Sequence, residues 1–381
     1  MTDSRRQRCS EAIRRLRVAA QSLGRDIRIM EVCGTHTVNA FRSGLHSLMP
    51  ANVHLVSGPG CPVCVTSQGD IDQLIELGMR PDVSLCTYGD MMRVTGAGGS
   101  LELARSEGAD VHVVYSALDA VKLAEQIRPR QVVFAAVGFE TTAPATAAAI
   151  LEAERLGLTN FTVLASHKLV VPAMRALLDS GKTKLDGFLC PGHVSVITGS
   201  EAFACIVRDY ALPCVVAGFE DWQIAEAMAR LAELVAAAQP RLENQYPQAV
   251  TASGNRLAMK LIEQVFEPCD VTWRALGTLP QSGLKLRSRY ALFDARVRYQ
   301  LQSVEAPEPP GCRCGDVITG RCAPGDCKLF GKVCTPVYPV GPCMVSSEGT
   351  CQAWFKYHRQ GNGRANRPGE DAPAALAEVG T

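Results

Sequence analysis

Gly58-Pro59-Gly60-Cys61-Pro62-Val63-Cys64 follows an apolar run at 53–56 and precedes a segment whose apolar residues, Ile71, Leu74, Ile75 and Leu77, recur at helical spacing. The order is strand, sharp turn, helix. Two thiols three residues apart therefore stand where a strand ends and helix N–H groups begin to point outward. Such a position lowers a thiol's pKa and favours the thiolate, the form that binds metal and attacks sulfur. The bland alternative is a pair of buried cysteines acting as small hydrophobes. Flanking prolines and glycines speak against it, because a turn is a poor place to bury a side chain. The pair is read as reactive or metal-binding.

Outward from this turn the alternation continues. Apolar runs at 27–32, 83–85 and 111–115 read as further strands, with helical segments at 68–77, 101–106 and 118–127. A second series of strands is expected at 131–137, 161–165, 187–189 and 214–217, with helices at 145–156, 172–178, 199–208 and 222–238. Alternation of this kind predicts an α/β fold of mostly parallel sheets with helices on both faces, here as two successive Rossmann-like units. The expected division begins with a charged helix over 1–26 that packs on the C-terminal domain, with Ile13, Leu16, Val18 and Leu23 on or near one face. Unit one spans 27–128 and unit two 129–239. A C-terminal domain over 240–359 follows, with a helix at 256–266, a less regular segment and a stiff Pro307-Glu308-Pro309-Pro310 linker. Residues 360–381, rich in glycine, proline, asparagine and charge, read as a disordered tail.

A chain of 381 residues is too long for one ordinary core. Lys plus Arg number 39 and Asp plus Glu 38, so no global basic face awaits nucleic acid. The stretch with Arg5, Arg6 and Arg8 lacks a signal peptide's apolar core, and no segment approaches the roughly 20 apolar residues of a membrane span. The expectation is a soluble, cytoplasmic protein with neither nucleic acid nor membrane as partner. Sixteen cysteines in such a chain point to metal, iron–sulfur or redox chemistry.

Four constellations could carry it. Cys33, in Glu31-Val32-Cys33-Gly34-Thr35-His36-Thr37, closes the first strand, and ligands of doubly wound sheets bind beyond the carboxyl ends of strands. Cys33, Cys61 and Cys64 should therefore meet along one edge, where three thiolates and an imidazole suit iron or zinc. For His36, a structural hydrogen bond and a proton-handling or ligand role stand side by side. Gly138-Phe139-Glu140-Thr141-Thr142 is no phosphate loop; Glu140 either caps the helix starting near Pro144 or faces the cleft. The same turn faintly echoes Gly218-Phe219-Glu220-Asp221. His193, in Pro191-Gly192-His193-Val194-Ser195, ends a strand and could face the cleft, although a lone histidine is more often structural. Lastly, 312–351 holds Cys312, Cys314, Cys322, Cys327, Cys334, Cys343 and Cys351 in a stretch too poor in apolar residues for an ordinary core. Zinc knuckles have a regular spacing that is missing here, and the scattered spacing favours a four-iron cluster.

Taken in order, these motifs resemble those of the HypD family of hydrogenase maturation factors. The likeness rests on Cys33-Gly34-Thr35-His36, the turn at 58–64, Gly138-Phe139-Glu140-Thr141-Thr142 and Pro191-Gly192-His193-Val194-Ser195. Phe330-Gly331-Lys332-Val333-Cys334 and Gly341-Pro342-Cys343-Met344-Val345-Ser346-Ser347-Glu348-Gly349 complete it. It covers about 27–357 and departs at Ser67, where a proline is expected, a change that alters only the helix start. The resemblance implies a scaffold that works with HypC to assemble the Fe(CN)2CO group of nickel–iron hydrogenases. Cyanide would come from HypE, made with HypF. By the same resemblance Cys33, Cys61 and Cys64 are tied to the iron, and Cys314, Cys327, Cys334 and Cys351 hold a [4Fe-4S] cluster, with Cys312 as the alternative ligand.

Cyanide and carbon monoxide need an electron-rich iron, to which thiolates donate charge. Electrons could pass from the cluster through the Cys61/Cys64 couple, with His36 and His193 managing protons or ligand orientation. The rival reading is an iron–sulfur-linked thiol–disulfide reductase, and a structural zinc module is the bland one.

Overall fold

The turn at 58–64 leaves the edge strand of a five-stranded parallel sheet. The computed structural model describes residues 3–302 and 307–358; the tail expected at 360–381 lies outside them. Its strands are β1 (Ile27–Glu31), β2 (Val53–Ser57), β3 (Val83–Thr87), β4 (Val111–Val113), β5 (Gln131–Gly138), β6 (Phe161–His167), β7 (Gly187–Pro191), β8 (Cys214–Ala217), β9 (Leu242–Asn244), β10 (Phe266–Trp273) and β11 (Gly277–Leu286). The first sheet runs β2-β1-β7-β8-β9 and a second, also parallel, runs β4-β3-β5-β6. The α/β class with parallel sheets is therefore as expected.

The two sheets are nested and not successive. β1 pairs with β7, Met30 opposite Phe188 and Glu31 opposite Leu189, so the whole second sheet is inserted between β2 and β7. A boundary at 128/129 cuts that second sheet, whose β3 pairs with both β4 and β5. Local periodicity reads the same whichever sheet a strand joins, and the pairing of β1 with β7 leaves no local mark. Strands buried on both faces, such as β5, β7 and β8, are nearly all apolar, as parallel strands covered by helices must be.

The N-terminal helix, Asp3–Leu23, also departs from expectation. It packs along Asp221–Ala236, burying Ala12, Ile13, Leu16, Ala19 and Ala20 against Ala225, Met228, Ala229 and Ala232, and not on the C-terminal region. Arg8 and Arg15 fix the register through bidentate pairs with Glu226 and Glu233. Val18 faces solvent. Its arginines pair with acidic residues of the 221–236 helix, which is what draws the charged helix there.

The segment read as irregular is an antiparallel hairpin, β10–β11. It is stapled to the segments that follow β2 and β6, where Thr66 bridges Trp273 and Lys168 bridges Gly283, and it is braced internally by the Trp273 indole, which donates to Ser282 Oγ at 3.0 Å. Ser67, the departure from the family pattern, caps the helix Gln68–Gly78 by accepting from Asp70 N at 3.1 Å.

Candidate functional site

Strand order in the first sheet reverses between β1 and β7, the kind of switch point beyond which doubly wound folds bind ligands. Four turns meet there. Cys33 and His36 follow β1, Cys61 and Cys64 follow β2, His193 follows β7, and Phe219 follows β8. The first two touch through backbone: Gly34 N donates to Gly60 O at 3.0 Å, and a Cβ on Gly60 would collide with Val32 C and Cys33 N. Glycine at 60 is thus required by close approach. His36 Nε2 donates to Gly218 O at 3.0 Å. The Phe219 ring lies between two imidazoles, 4.8 Å from His36 and 3.8 Å from His193 by centroid.

The turn buries its sulfurs after all. Cys61 and Cys64 are joined as a disulfide, Cys33 is a free thiol, and all three are less than a tenth exposed. Prolines and glycines could not foretell this, because the cover comes from 285 residues away. The Ser346-Ser347-Glu348 segment lies over the turn, with Cys61 Sγ 3.3 Å from Ser346 Oγ. Thr35 Oγ1 donates to Glu348 Oε1 at 2.6 Å. Asp90 Oδ2 accepts from Ser346 Oγ, Ser347 N and Ser347 Oγ at 3.2, 2.8 and 2.9 Å. The same segment closes one end of a cleft of about 590 Å³ between the sheets, lined also by Pro62, Tyr88, Thr141 and Thr142.

Burial governs the charges. The Cys33 thiol is pushed up to about 12 by burial first and by Glu348 and Glu31 second. A lowered thiol pKa therefore does not extend to Cys33. Glu31, whose carboxylate accepts from Cys33 N at 2.9 Å and from the Thr37 hydroxyl, is raised to about 8 by burial. His36 is lowered to about 4, again by burial, so it is neutral. With Nε2–H given to Gly218, its Nδ1 lone pair is buried and without a partner among the described residues. Burial also lowers His193, against a smaller pull upward from Glu348.

A second group of sulfurs lines a narrow cavity in the tail: Cys312, Cys314, Cys327, Cys334, Cys343 and Cys351. Cys351 N donates to Cys343 Sγ at 3.2 Å, Cys314 N to Cys312 Sγ at 3.4 Å and Val340 N to Cys334 Sγ at 3.3 Å. The Cys314 thiol is pushed up by its contact with Cys343 and by burial, and drawn the other way by the Arg274 guanidinium. Among the described residues, no three His, Cys, Asp or Glu side chains meet at the spacing of a single ion's ligands. Six thiols around one cavity exceed what one zinc takes and include the four a cubane cluster needs, one at each corner.

A family model, HypD, described as "Hydrogenase formation hypA family", matches residues 7–358. The chain is 47% identical over 352 residues to the hydrogenase maturation factor HypD of Azotobacter vinelandii, covering 90% of this chain and 93% of that one. The HypD of Escherichia coli K12 is 44% identical over 339 residues, 88% of this chain and 90% of its own. The chain belongs to the HypD family. It is a hydrogenase maturation factor. None of the helices among its described residues is long and apolar enough to cross a membrane.

Within this HypD fold the remaining expected residues fall as follows. Glu140 does not cap the helix after it: the residue before that helix, Thr142, makes no capping bond either. Glu140 Oε1 instead accepts from Val170 N at 3.0 Å, at the start of the helix Val170–Asp179. The side chain is buried and turned from the cleft, which Thr141 and Thr142 line in its place. His193 sits in the first turn of the helix Gly192–Thr198, an element the sequence pattern does not predict; the helix expected at 199–208 falls on the separate segments Ser200–Phe203 and Ala204–Tyr210. Cys314, Cys327, Cys334, Cys351 and Cys312 all line the tail cavity, joined by Cys343, whereas Cys322 lines a different one with Arg28 and His54. No local spacing in the sequence marks Phe219, Glu348 or Asp90 as part of the site. The echo between the turns at 138–141 and 218–221 was the available signal for Phe219.

Proposed function

We propose that this HypD-family chain is the scaffold on which, together with HypC, the Fe(CN)2CO group of [NiFe]-hydrogenase is assembled. The observation that carries the proposal is the convergence of the Cys33, Cys61/Cys64, His36 and His193 turns at one switch point. Iron is the cargo. Cys33, with Cys61 and Cys64 once their bond is reduced, offers sulfur donors, and the His36 Nδ1 lone pair is free to take a proton or a ligand's hydrogen bond. The Ser346–Glu348 cover excludes water, and its displacement on docking of HypC, or of HypE bearing cyanide with HypF upstream, would admit the iron. Cys314, Cys327, Cys334 and Cys351, with Cys312 or Cys343 as alternatives, would hold a [4Fe-4S] cluster, which when bound supplies electrons. Purified anaerobically with HypC, the chain should show cyanide and carbonyl infrared bands, and Cys61→Ala should abolish them. Bands of normal intensity in Cys61→Ala would refute the assignment.

The Cys61–Cys64 disulfide favours one second reading, a cluster-linked thiol–disulfide reductase. Such a reductase, given dithionite, turns over a disulfide substrate with no partner present; a scaffold does not.

A further inference from the structure

Arg274 occupies the tip of the β10–β11 hairpin and is 3% exposed. Its backbone N donates to Val65 O at 2.9 Å, its Nε to Thr66 O at 3.2 Å and its Nη2 to Gln68 Oε1 at 3.2 Å. One edge of the guanidinium thus holds the segment that leaves Cys64. The other edge is unanswered: Nη1 is buried and has no hydrogen-bond partner among the described residues. Asp70 and Glu308 line the same cleft as Arg274, yet neither forms an ion pair with it: Asp70 pairs with Arg296 and Lys168, and Glu308 accepts from Ala275 N. A guanidinium remains charged at every physiological pH, and a buried cation with an unpaired edge is costly unless an anion or acceptor lies beside that edge. Its Nη1 edge is therefore open to a further acceptor. The next residue, Ala275, packs directly on Gly315, where a Cβ would collide with it, so Arg274 lies beside the cavity wall that Cys314 forms.

We propose that Arg274 is the counter-charge of the cysteine cavity: its free edge faces the thiolate-ligated cluster, sets that cluster's reduction potential, and ties the cluster to the turn carrying Cys61 and Cys64. The inference rests on the cluster reading above and deepens it. Net charge and hydrogen bonds to sulfur are among the determinants of a cluster's potential. A fixed cation stabilises the extra electron of the reduced state, so its loss makes reduction harder.

The test uses the full chain, reconstituted anaerobically with iron and sulfide, as wild type, Arg274→Lys and Arg274→Met. Iron and sulfide content and the visible spectrum report loading, and a dithionite titration followed by electron paramagnetic resonance reports the one-electron potential. Arg274→Met should load and shift the equilibrium at least tenfold toward the oxidised cluster, a drop of about 59 mV. Arg274→Lys, which keeps the charge, should shift it less. Failure of Arg274→Met to load while Arg274→Lys loads also supports the charge role. A fully loaded Arg274→Met with an unchanged potential overturns the inference, as does equal loss of loading in both variants, which marks a packing role only. A wild type that loads no cluster removes the cluster reading itself and this inference with it.

Discussion

Glu140 offers a sharp test because its burial has a calculable consequence. The residue is 5% exposed, Oε1 accepts the Val170 N–H, and Oε2 has no partner among the described residues. Burial raises it from 4.5 to about 7. The folded chain therefore holds a proton there, between pH 4.5 and about 7, that the unfolded chain has released. Stability falls as pH rises wherever the native state binds more protons. Across that window each pH unit removes about 1.4 kcal/mol, so the loss approaches roughly 3 kcal/mol by pH 7 and is constant above it. Glu140→Gln keeps the acceptor toward Val170 N and cannot ionise. Its amide hydrogens lack acceptors, which costs about 1–3 kcal/mol at every pH. The diagnostic is therefore the slope and not the offset. Urea unfolding of both chains in steps from pH 4.5 to 8 should show the variant gaining on the wild type by roughly 3 kcal/mol up to pH 7, then running parallel. Curves parallel throughout would mean that Glu140 titrates normally and that its burial is not what the hydrogen-bond geometry implies.

Two further outcomes follow from the packing around the sulfurs. Gly60→Ala places a methyl against Val32 C and Cys33 N, backbone atoms that cannot rotate away, so it should destabilise the chain by about 1–3 kcal/mol in urea unfolding, and an unchanged midpoint would refute the close contact. Asp90→Ala removes the single oxygen that accepts from Ser346 and twice from Ser347, so peptides spanning 343–349 should exchange amide hydrogens at least tenfold faster, the equivalent of about 1.4 kcal/mol, while β5 and β6 stay protected; equal protection in both chains would mean that another contact fixes the cover.

What the sequence discloses of this site is set by the range of the forces involved. Strand ends, turns and helix starts depend on neighbours a few residues away, so the positions of Cys33, Cys61 and His193 at carboxyl ends of strands were legible. So was the α/β class. The partnership of β1 with β7 was not, because hydrogen bonds between residues as far apart as Met30 and Phe188 constrain no local pattern. Reading the strands as successive units misplaced the boundary but not the convergence, since parallel strands send their carboxyl-end turns to one edge in either arrangement. Exposure failed for a different reason. Cys61-Pro62-Val63-Cys64 carries every local mark of an open turn, and it is closed by Ser346 and Glu348, residues that read as part of the cysteine-rich tail. The tail therefore has two parts: the cavity of six cysteines, and a strap that Asp90 and Thr35 hold over the disulfide. Arg274 adds a contact from the hairpin side, touching the chain after Cys64 and lying near Cys314. A cover held by a few polar contacts and not by core packing can be displaced without unfolding what lies beneath it, and the bonds to Asp90 and from Thr35 are of that kind.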